Sequence, residues 1–129
     1  MIIKGSNFSV MDNSGARKVQ CIQTLEGKKP TSLLRVGDKI VVVIKKMEKR
    51  KGGKYKLKVK KSDVCYAVIV KSKQPVRRKS GIIVNAGENG VILLTKTKEP
   101  IGTRLTGVVF KEVQRTGLLK NVSISKYII

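Results

Sequence analysis

The sequence has no histidine and no tryptophan among its 129 residues, and it has only two cysteines. Without histidine there is no Ser-His-Asp or Cys-His nucleophile, no His-ligated metal and no side chain whose ordinary pKa lies near neutrality. Cys21 and Cys65 stand alone, without the spacing of a zinc site, and we expect both to be buried, reduced thiols. We therefore predict no catalytic residues, no metal and no cofactor.

Positive charge, by contrast, is abundant. The chain carries 29 Lys and Arg against 8 Asp and Glu, a net charge of +21. A compact chain with this charge repels itself, so the charge indicates an anionic partner, and nucleic acid is the leading candidate. The longest apolar run, Ile40–Ile44, is far shorter than the roughly 20 residues that cross a membrane, and no secretory signal is recognisable. We expect no membrane partner.

Short β-rich runs between turn signals dominate the chain. Ile40–Ile44 is a β-branched run too short for a helix, and we expect a strand buried on both sides. In a strand predicted over Ala16–Leu25, Val19 and Cys21 share one face, with Gln23 as a further candidate for it. Other predicted elements are strands over Val64–Val70, Ile82–Val84, Val91–Leu94 and Leu105–Phe110, and about two helical turns in Lys111–Lys120. This spacing predicts a mainly β, small closed barrel in a single domain over residues 1–129.

Two basic tracts, residues 45–61 and 71–79, hold 15 of the 29 cationic side chains. Within the first tract, Lys54–Lys60 alternates strictly between lysine and other residues, which predicts a protruding basic β-ribbon. If these cations contact a phosphate backbone, each neutralised phosphate lowers log affinity by about 0.7 to 0.9 per decade of salt. The alternative interpretation is an ordinary solvated charged face.

Aromatic side chains are scarce, and no close pair forms a platform for unstacked bases. We therefore expect contact with the shape and phosphates of folded RNA, with core packing as the role of most of the rings. These rings are Phe8, Tyr55, Tyr66, Phe110 and Tyr127, with Tyr55 on the predicted ribbon as the candidate exception to core packing.

The carboxylates are scattered, and no phosphate-cradling glycine motif occurs. Asp12, Asp38 and Asp63 each lie at a turn or strand opening, where we expect hydrogen bonds from side chain to backbone. An enzyme acting on anionic substrates would need a general base that this pattern does not supply.

Residues 10–22 read VMDNSGARKVQCI, which closely resembles the N-terminal signature of the universal large-subunit ribosomal protein number fourteen family. The resemblance continues in order along nearly the whole chain, through five further segments. They are Val36–Ile40, Val59–Val64, Ala67–Lys71, Arg77–Arg78 and Pro100–Gly107. Six collinear segments make the resemblance specific.

The resemblance implies a five-stranded β-barrel with a protruding β-ribbon and a short C-terminal helical segment. It implies a structural constituent of the large subunit that binds large-subunit rRNA beside ribosomal proteins of families three and nineteen. Contact with small-subunit rRNA in an intersubunit bridge, and docking of a ribosome-silencing factor, are implied as well.

The resemblance also implies site residues. The rRNA contacts fall on Asn13, Arg17, Lys18, Lys45, Lys71, Lys73, Arg77 and Arg78. The subunit interface falls on Thr103, Arg104 and Lys120. The basic tracts add Lys46, Lys49, Arg50, Lys54, Lys56, Lys58 and Lys79 as RNA-binding candidates.

Two features depart from the family pattern. Ala86 stands where the central signature expects an aromatic residue, although the following Asn is present as Asn89. The region Met47–Lys58 is longer than in bacterial relatives, which predicts an additional RNA or protein contact for the ribbon. Together with the lysine and isoleucine bias, these departures favour the mitochondrial ribosome, in the matrix, over a bacterial cytoplasmic or plastid ribosome.

A protein of a different class remains as the alternative, a free-standing barrel-type single-stranded nucleic-acid chaperone. Such a protein should quench tyrosine fluorescence on binding unstructured oligonucleotides. The poor aromatic supply argues against it.

Overall fold

The computed structural model describes residues 2–25, 33–47, 59–102, 104–105, 107–116 and 127–128. Within these ranges a 3-10 helix spans Lys111–Thr116, and no helix is long and apolar enough to cross a membrane. The strands are β1 (Asn7–Val10), β2 (Ala16–Thr24), β3 (Lys39–Met47), β4 (Val64–Lys71), β5 (Val76–Arg77), β6 (Ile83–Val84), β7 (Gly90–Leu94), β8 (Val108–Val109) and β9 (Tyr127–Ile128).

Five of these strands close into a barrel in the order β1, β2, β3, β4, β7. Neighbouring strands are antiparallel except β1 and β7, which run parallel with Val10 opposite Val91. The amide of Met11 donates to the Val91 carbonyl at 2.9 Å and extends this closing pair. The predicted mainly β, closed five-stranded barrel is confirmed.

Strand β2 buries alternate side chains and then changes phase. Val19 and Cys21 are buried as predicted, whereas Gln23 is exposed and Thr24 is buried in its place. Cys21 and Gln23 pair with consecutive residues of β3, which leaves Ile22 as the extra residue of a β-bulge. The prediction for Gln23 is wrong because strict alternation does not allow for an inserted residue.

The interior of the barrel is an apolar core. The run Ile40–Ile44 forms part of β3. Four of its five side chains are buried, and that of Val43 is half-buried. Burying a Val, Leu or Ile side chain contributes about 1.5–3 kcal/mol, so this core contributes strongly to stability. Its members include Phe8, Val19, Cys21, Ile40, Val42, Ile44, Ala67, Ile69, Val91 and Leu93.

A second apolar core lies on the outer face of β4 and β7. All five residues of β7 are buried, and the amide of Phe110 donates to the Val70 carbonyl of β4 at 2.9 Å. The C-terminal segment thereby covers this face, so β4 and β7 have both faces buried and read as continuous apolar runs. The core consists of Met11, Val68, Val70, Ile92, Leu94, Leu105, Val109 and Val113.

Over the described residues 104–105 and 107–116, the chain contains less regular structure than the sequence predicts. The strand expected over Leu105–Phe110 is reduced to β8, which pairs in parallel with β9. Gly107 has a φ of 78°, outside the extended region, and Leu105 forms only an isolated bridge to Asp12. The predicted helical segment is a 3-10 helix as far as Thr116, and residues 117–120 lie outside the described residues.

The turn carboxylates act as predicted. The Asp38 Oδ2 atom accepts from the amide of Arg35 at 2.7 Å, and the Asp63 Oδ2 atom accepts from the amide of Lys60 at 2.9 Å. The Asp12 Oδ1 atom accepts from the amide of Ser14 at 3.1 Å. These carboxylates stabilise turns, which is why they stand where strands begin or end.

Candidate nucleic-acid interface

Exposed cations surround the end of the barrel where β2 begins and β3 ends. Arg17 and Lys18 of β2, and Lys45 and Lys46 of β3, are all exposed. The β2–β3 register shifts twice between Ala16 and Val19, and such bulges turn side chains out of regular alternation. Lys18 lies directly opposite Lys46, and like charges in this position destabilise a sheet. The arrangement therefore favours a bound anion.

Two further lysines, Lys60 and Lys61, lie beside these four cations. We call the six residues together the cationic rim. The amide of Ser62 donates to the Ile44 carbonyl at 2.9 Å, and the amide of Ile44 donates to the Asp63 carbonyl at 3.0 Å. These bonds hold the turn at residues 60–63 beside the end of β3. They place the exposed Lys60 and Lys61 next to the cations of β2 and β3. Neither lysine is among the RNA-binding residues predicted from the sequence, although both belong to the basic tract 45–61.

A lateral row of residues connects the rim to the other basic tract. Lys46 pairs with Lys18, Lys18 with Ser9, Ser9 with Gly90, and Gly90 with Lys71. Since neighbouring strands lie about 4.8 Å apart, Lys18 and Lys71 are about 14 Å apart along the outer wall. The stagger of the barrel strands thus aligns lysines from three different strands in what we call the lysine row.

Lys71 reaches this row through a register shift at the end of β4, and its side chain lies across Gly90. A Cβ atom on Gly90 would lie 2.8 Å from Lys71 Cγ, so only glycine leaves room for the lysine stem. Lys71 Nζ lies 3.1 Å from Glu88 Oε1, and Ser9 Oγ donates to Glu88 Oε2 at 2.8 Å. The hydrogen bonds from Ser9 and Lys71 hold the pKa of Glu88 below its ordinary value of 4.5. Lys71 is therefore a paired cation in the free protein.

The second basic tract contains β5, which pairs with β6 in a hairpin inserted between β4 and β7. Lys73, Arg77 and Lys79 are exposed on it. Arg78 instead donates to Glu112 through Nε at 2.9 Å and through Nη2 at 3.4 Å. This ion pair joins the hairpin to the 3-10 helix. Arg78 therefore has a structural partner, whereas Lys73, Arg77 and Lys79 face solvent.

Asn13, a predicted rRNA contact, holds another predicted site residue in place. Its Oδ1 atom accepts from the backbone amide of Arg104 at 3.3 Å, and the Arg104 side chain is exposed. Next to it, Asp12 Oδ2 accepts from the amide of Leu93 at 3.0 Å. A Cβ atom on Gly102 would lie 2.8 Å from Asn13 Oδ1. The N-terminal turn and the segment at 102–104 are therefore packed against each other.

Seven predicted site residues lie outside the described residues. They are Lys49, Arg50, Lys54, Lys56 and Lys58 of the ribbon, and Thr103 and Lys120 of the predicted subunit interface.

The two thiols are free, with Cys21 buried and Cys65 half-buried. Burial raises the pKa of both thiols, and nearby Asp12 and Asp63 add to the effect at Cys65, whose pKa rises to about 11. Both cysteines pair with Val42, so they are two strands apart, roughly 10 Å, too far for a disulfide. Among the residues that the structure describes, no three His, Cys, Asp or Glu side chains form a group fit for a metal.

The fold and the interface define a basic, mainly β protein whose exposed cations on β2 and β3 suit a polyanion. The chain belongs to the ribosomal protein L14p/L23e family, whose model matches residues 1–129. It is therefore a structural ribosomal protein, located in a ribosome. The resemblance drawn from the six sequence segments is confirmed.

Proposed function

We propose that this chain is a constituent of the large ribosomal subunit that binds large-subunit rRNA through the cationic rim and the lysine row. The observation that carries the proposal is the exposure of Arg17, Lys18, Lys45 and Lys46 on one wall, with like charges directly opposed. Membership of the ribosomal protein family supports rRNA as the polyanion. The protein acts as one domain over residues 1–129, without catalytic residues or a cofactor.

The expected mode of recognition is contact with phosphates and RNA shape. Among the described aromatic side chains, Phe8 and Phe110 are buried and Tyr66 is half-buried, so none offers an open stacking surface. Sequence-tolerant stacking of single strands needs such surfaces. This observation supports rRNA binding over the alternative of a free-standing single-stranded nucleic-acid chaperone.

Arg104 supports a second contact surface. Its exposed side chain is presented by a backbone amide that is bound to Asn13. With Thr103 and Lys120, it forms the proposed subunit interface, which would contact small-subunit rRNA in an intersubunit bridge. Ribosomal proteins of families three and nineteen are the proposed neighbours, and a ribosome-silencing factor is the proposed regulator of this face.

We further propose that the ribosome is mitochondrial. The longer Met47–Lys58 region, Ala86 and the lysine and isoleucine bias support this location. Deleting residues 49–56 should weaken assembly of the particle or one of its contacts. An unchanged particle would contradict the proposed role of the extended ribbon.

Co-sedimentation with large subunits tests the main proposal. The wild-type chain should sediment with them at physiological salt and be released only at high salt, whereas a large pool of free monomer would contradict the proposal. Lys18→Glu with Lys46→Glu should shift the release to much lower salt. Lys4→Glu with Lys96→Glu makes the same change of charge at two exposed positions away from the row and should have little effect.

A further inference from the structure

A carboxylate lies in the middle of the lysine row. The Glu88 side chain is 50% exposed, and its oxygens contact Ser9 Oγ at 2.8 Å and Lys71 Nζ at 3.1 Å. Lys18 is close enough for its charge to lower the pKa of Glu88 as well. The loop that carries Glu88 is anchored here, because the amide of Ser9 donates to the Asn89 carbonyl at 2.9 Å. The loop thus places an anion between two cations of the row.

The groups around this carboxylate are those of an oxyanion site. Ser9 donates its hydroxyl hydrogen, Lys71 forms an ion pair with the carboxylate, and the charge of Lys18, which lies opposite Ser9 on β2, acts on it as well. The Lys71 stem cannot move easily, since it packs across Gly90 and its side chain is only 11% exposed. Charge-assisted bonds to phosphate use the same donors as bonds to carboxylate. A phosphate oxygen in place of the Glu88 oxygens would leave each donor satisfied.

We propose that the place held by the Glu88 carboxylate is a binding site for an RNA backbone phosphate, formed by Ser9, Lys18 and Lys71. In the free protein Glu88 occupies the site. A phosphate that enters must displace the carboxylate into solvent, so this contact forms in only a small share of wild-type complexes and forms fully when the charge of Glu88 is removed. The inference rests on the proposed function, because it assumes that RNA approaches the lysine row. It gives Glu88 the role of an internal competitor that weakens binding to RNA in general.

The salt dependence of RNA binding tests the site, because each phosphate contact adds to the slope of log affinity against log salt. The full chain and its variants are titrated with a short fluorescein-labelled RNA duplex at several salt concentrations, and binding is followed by anisotropy. Glu88→Gln keeps the shape of the side chain and removes its charge. We expect its slope to be steeper than that of the wild type by about 0.7 to 0.9, a five- to eightfold difference over a decade of salt.

Glu99→Gln is the matched control, since it makes the same change of net charge in the exposed turn at the other end of β7. Its slope should stay at the wild-type value. Adding Lys71→Gln to Glu88→Gln should return the slope to that value, because the cation that receives the additional phosphate is lost. Equal slopes for Glu88→Gln and Glu99→Gln would overturn the site.

A measurement without RNA separates this inference from the proposed function. When ¹⁵N-labelled protein is titrated with inorganic phosphate, the amides of Ser9, Asn89 and Gly90 should shift at lower concentrations in Glu88→Gln than in the wild type. Unchanged amides in both proteins would overturn the site even if the wild type binds the duplex. Failure of the wild type to bind the duplex would instead contradict the proposed function, and with it the identity of the ligand.

Discussion

The outer faces of two walls of the same barrel differ in character: one carries exposed cations, and the other is buried and apolar. On the β2–β3 wall the inner side chains are packed and the outer positions include Arg17, Lys18, Lys45 and Lys46. On the β4–β7 wall both faces are packed, the outer one beneath the C-terminal segment. The inner faces are alike, so the outer covering makes the difference. Among the described residues, the β2–β3 wall therefore offers an exposed cationic face to a partner, and Lys71 at the end of β4 extends its row of lysines.

The largest expected effect is on the free energy of unfolding, which should respond differently to a substitution on each of the two walls. Ile92→Ala removes a fully buried side chain from the outer face of β7 and should lower the free energy of unfolding by about 2–5 kcal/mol. Gln23→Ala, on the exposed face of β2, should change it by no more than about 0.5 kcal/mol. Urea denaturation measures both. Similar losses for the two variants would contradict the two-faced burial of β7 or the bulge in β2.

The interior that both walls share should protect the thiol of Cys65. With a pKa of about 11 in place of 9.0, it has about a hundredfold less thiolate at pH 8, so its labelling should slow by the same factor relative to the unfolded chain. The rate should rise with pH up to that pKa. Mass spectrometry of the labelled peptides measures the rate. Equally fast labelling of the native and unfolded chains at pH 8 would contradict the burial.

A third change tests the junction that holds Arg104. Gly102→Ala would place a Cβ atom 2.8 Å from both Asp12 Cβ and Asn13 Oδ1, so we expect a loss of about 1–3 kcal/mol in stability. The backbone amide of Arg104 should also lose protection from hydrogen exchange. Gly87→Ala meets nothing within 4 Å and should be neutral or slightly stabilising. Identical behaviour of the two variants would show that the junction is loosely packed.

The smallest effect concerns the β2–β3 wall. Lys18→Glu replaces a like-charge pair with an opposite-charge pair against Lys46, and should stabilise the protein by about 0.2–1 kcal/mol. The same change should weaken RNA binding, so stability and affinity move in opposite directions. Thermal unfolding and RNA titration measure the two effects. A variant that loses stability as well as RNA affinity would indicate that Lys18 has a structural role.

Much of the barrel was predictable because its signals are local. The run Ile40–Ile44, the apolar β4 and β7 and the turn carboxylates all occupy the predicted places. The exposure of Gln23 was not predictable, since the bulge at Ile22 depends on the pairing between strands. The ion pairs of Lys71 with Glu88 and of Arg78 with Glu112 join residues 17 and 34 positions apart. No local pattern indicates such pairs.

The sequence by itself determined the family, the β class and the presence of a strongly basic protein, because those properties depend on residue types and their local order. Only the tertiary structure decided which cations are available. The stagger of the barrel aligned Lys46, Lys18 and Lys71 across three strands, and folding brought Glu88 and Glu112 to two of the predicted RNA-binding residues. Charge can be counted along a chain, but its pairing depends on distances that exist only in the folded protein.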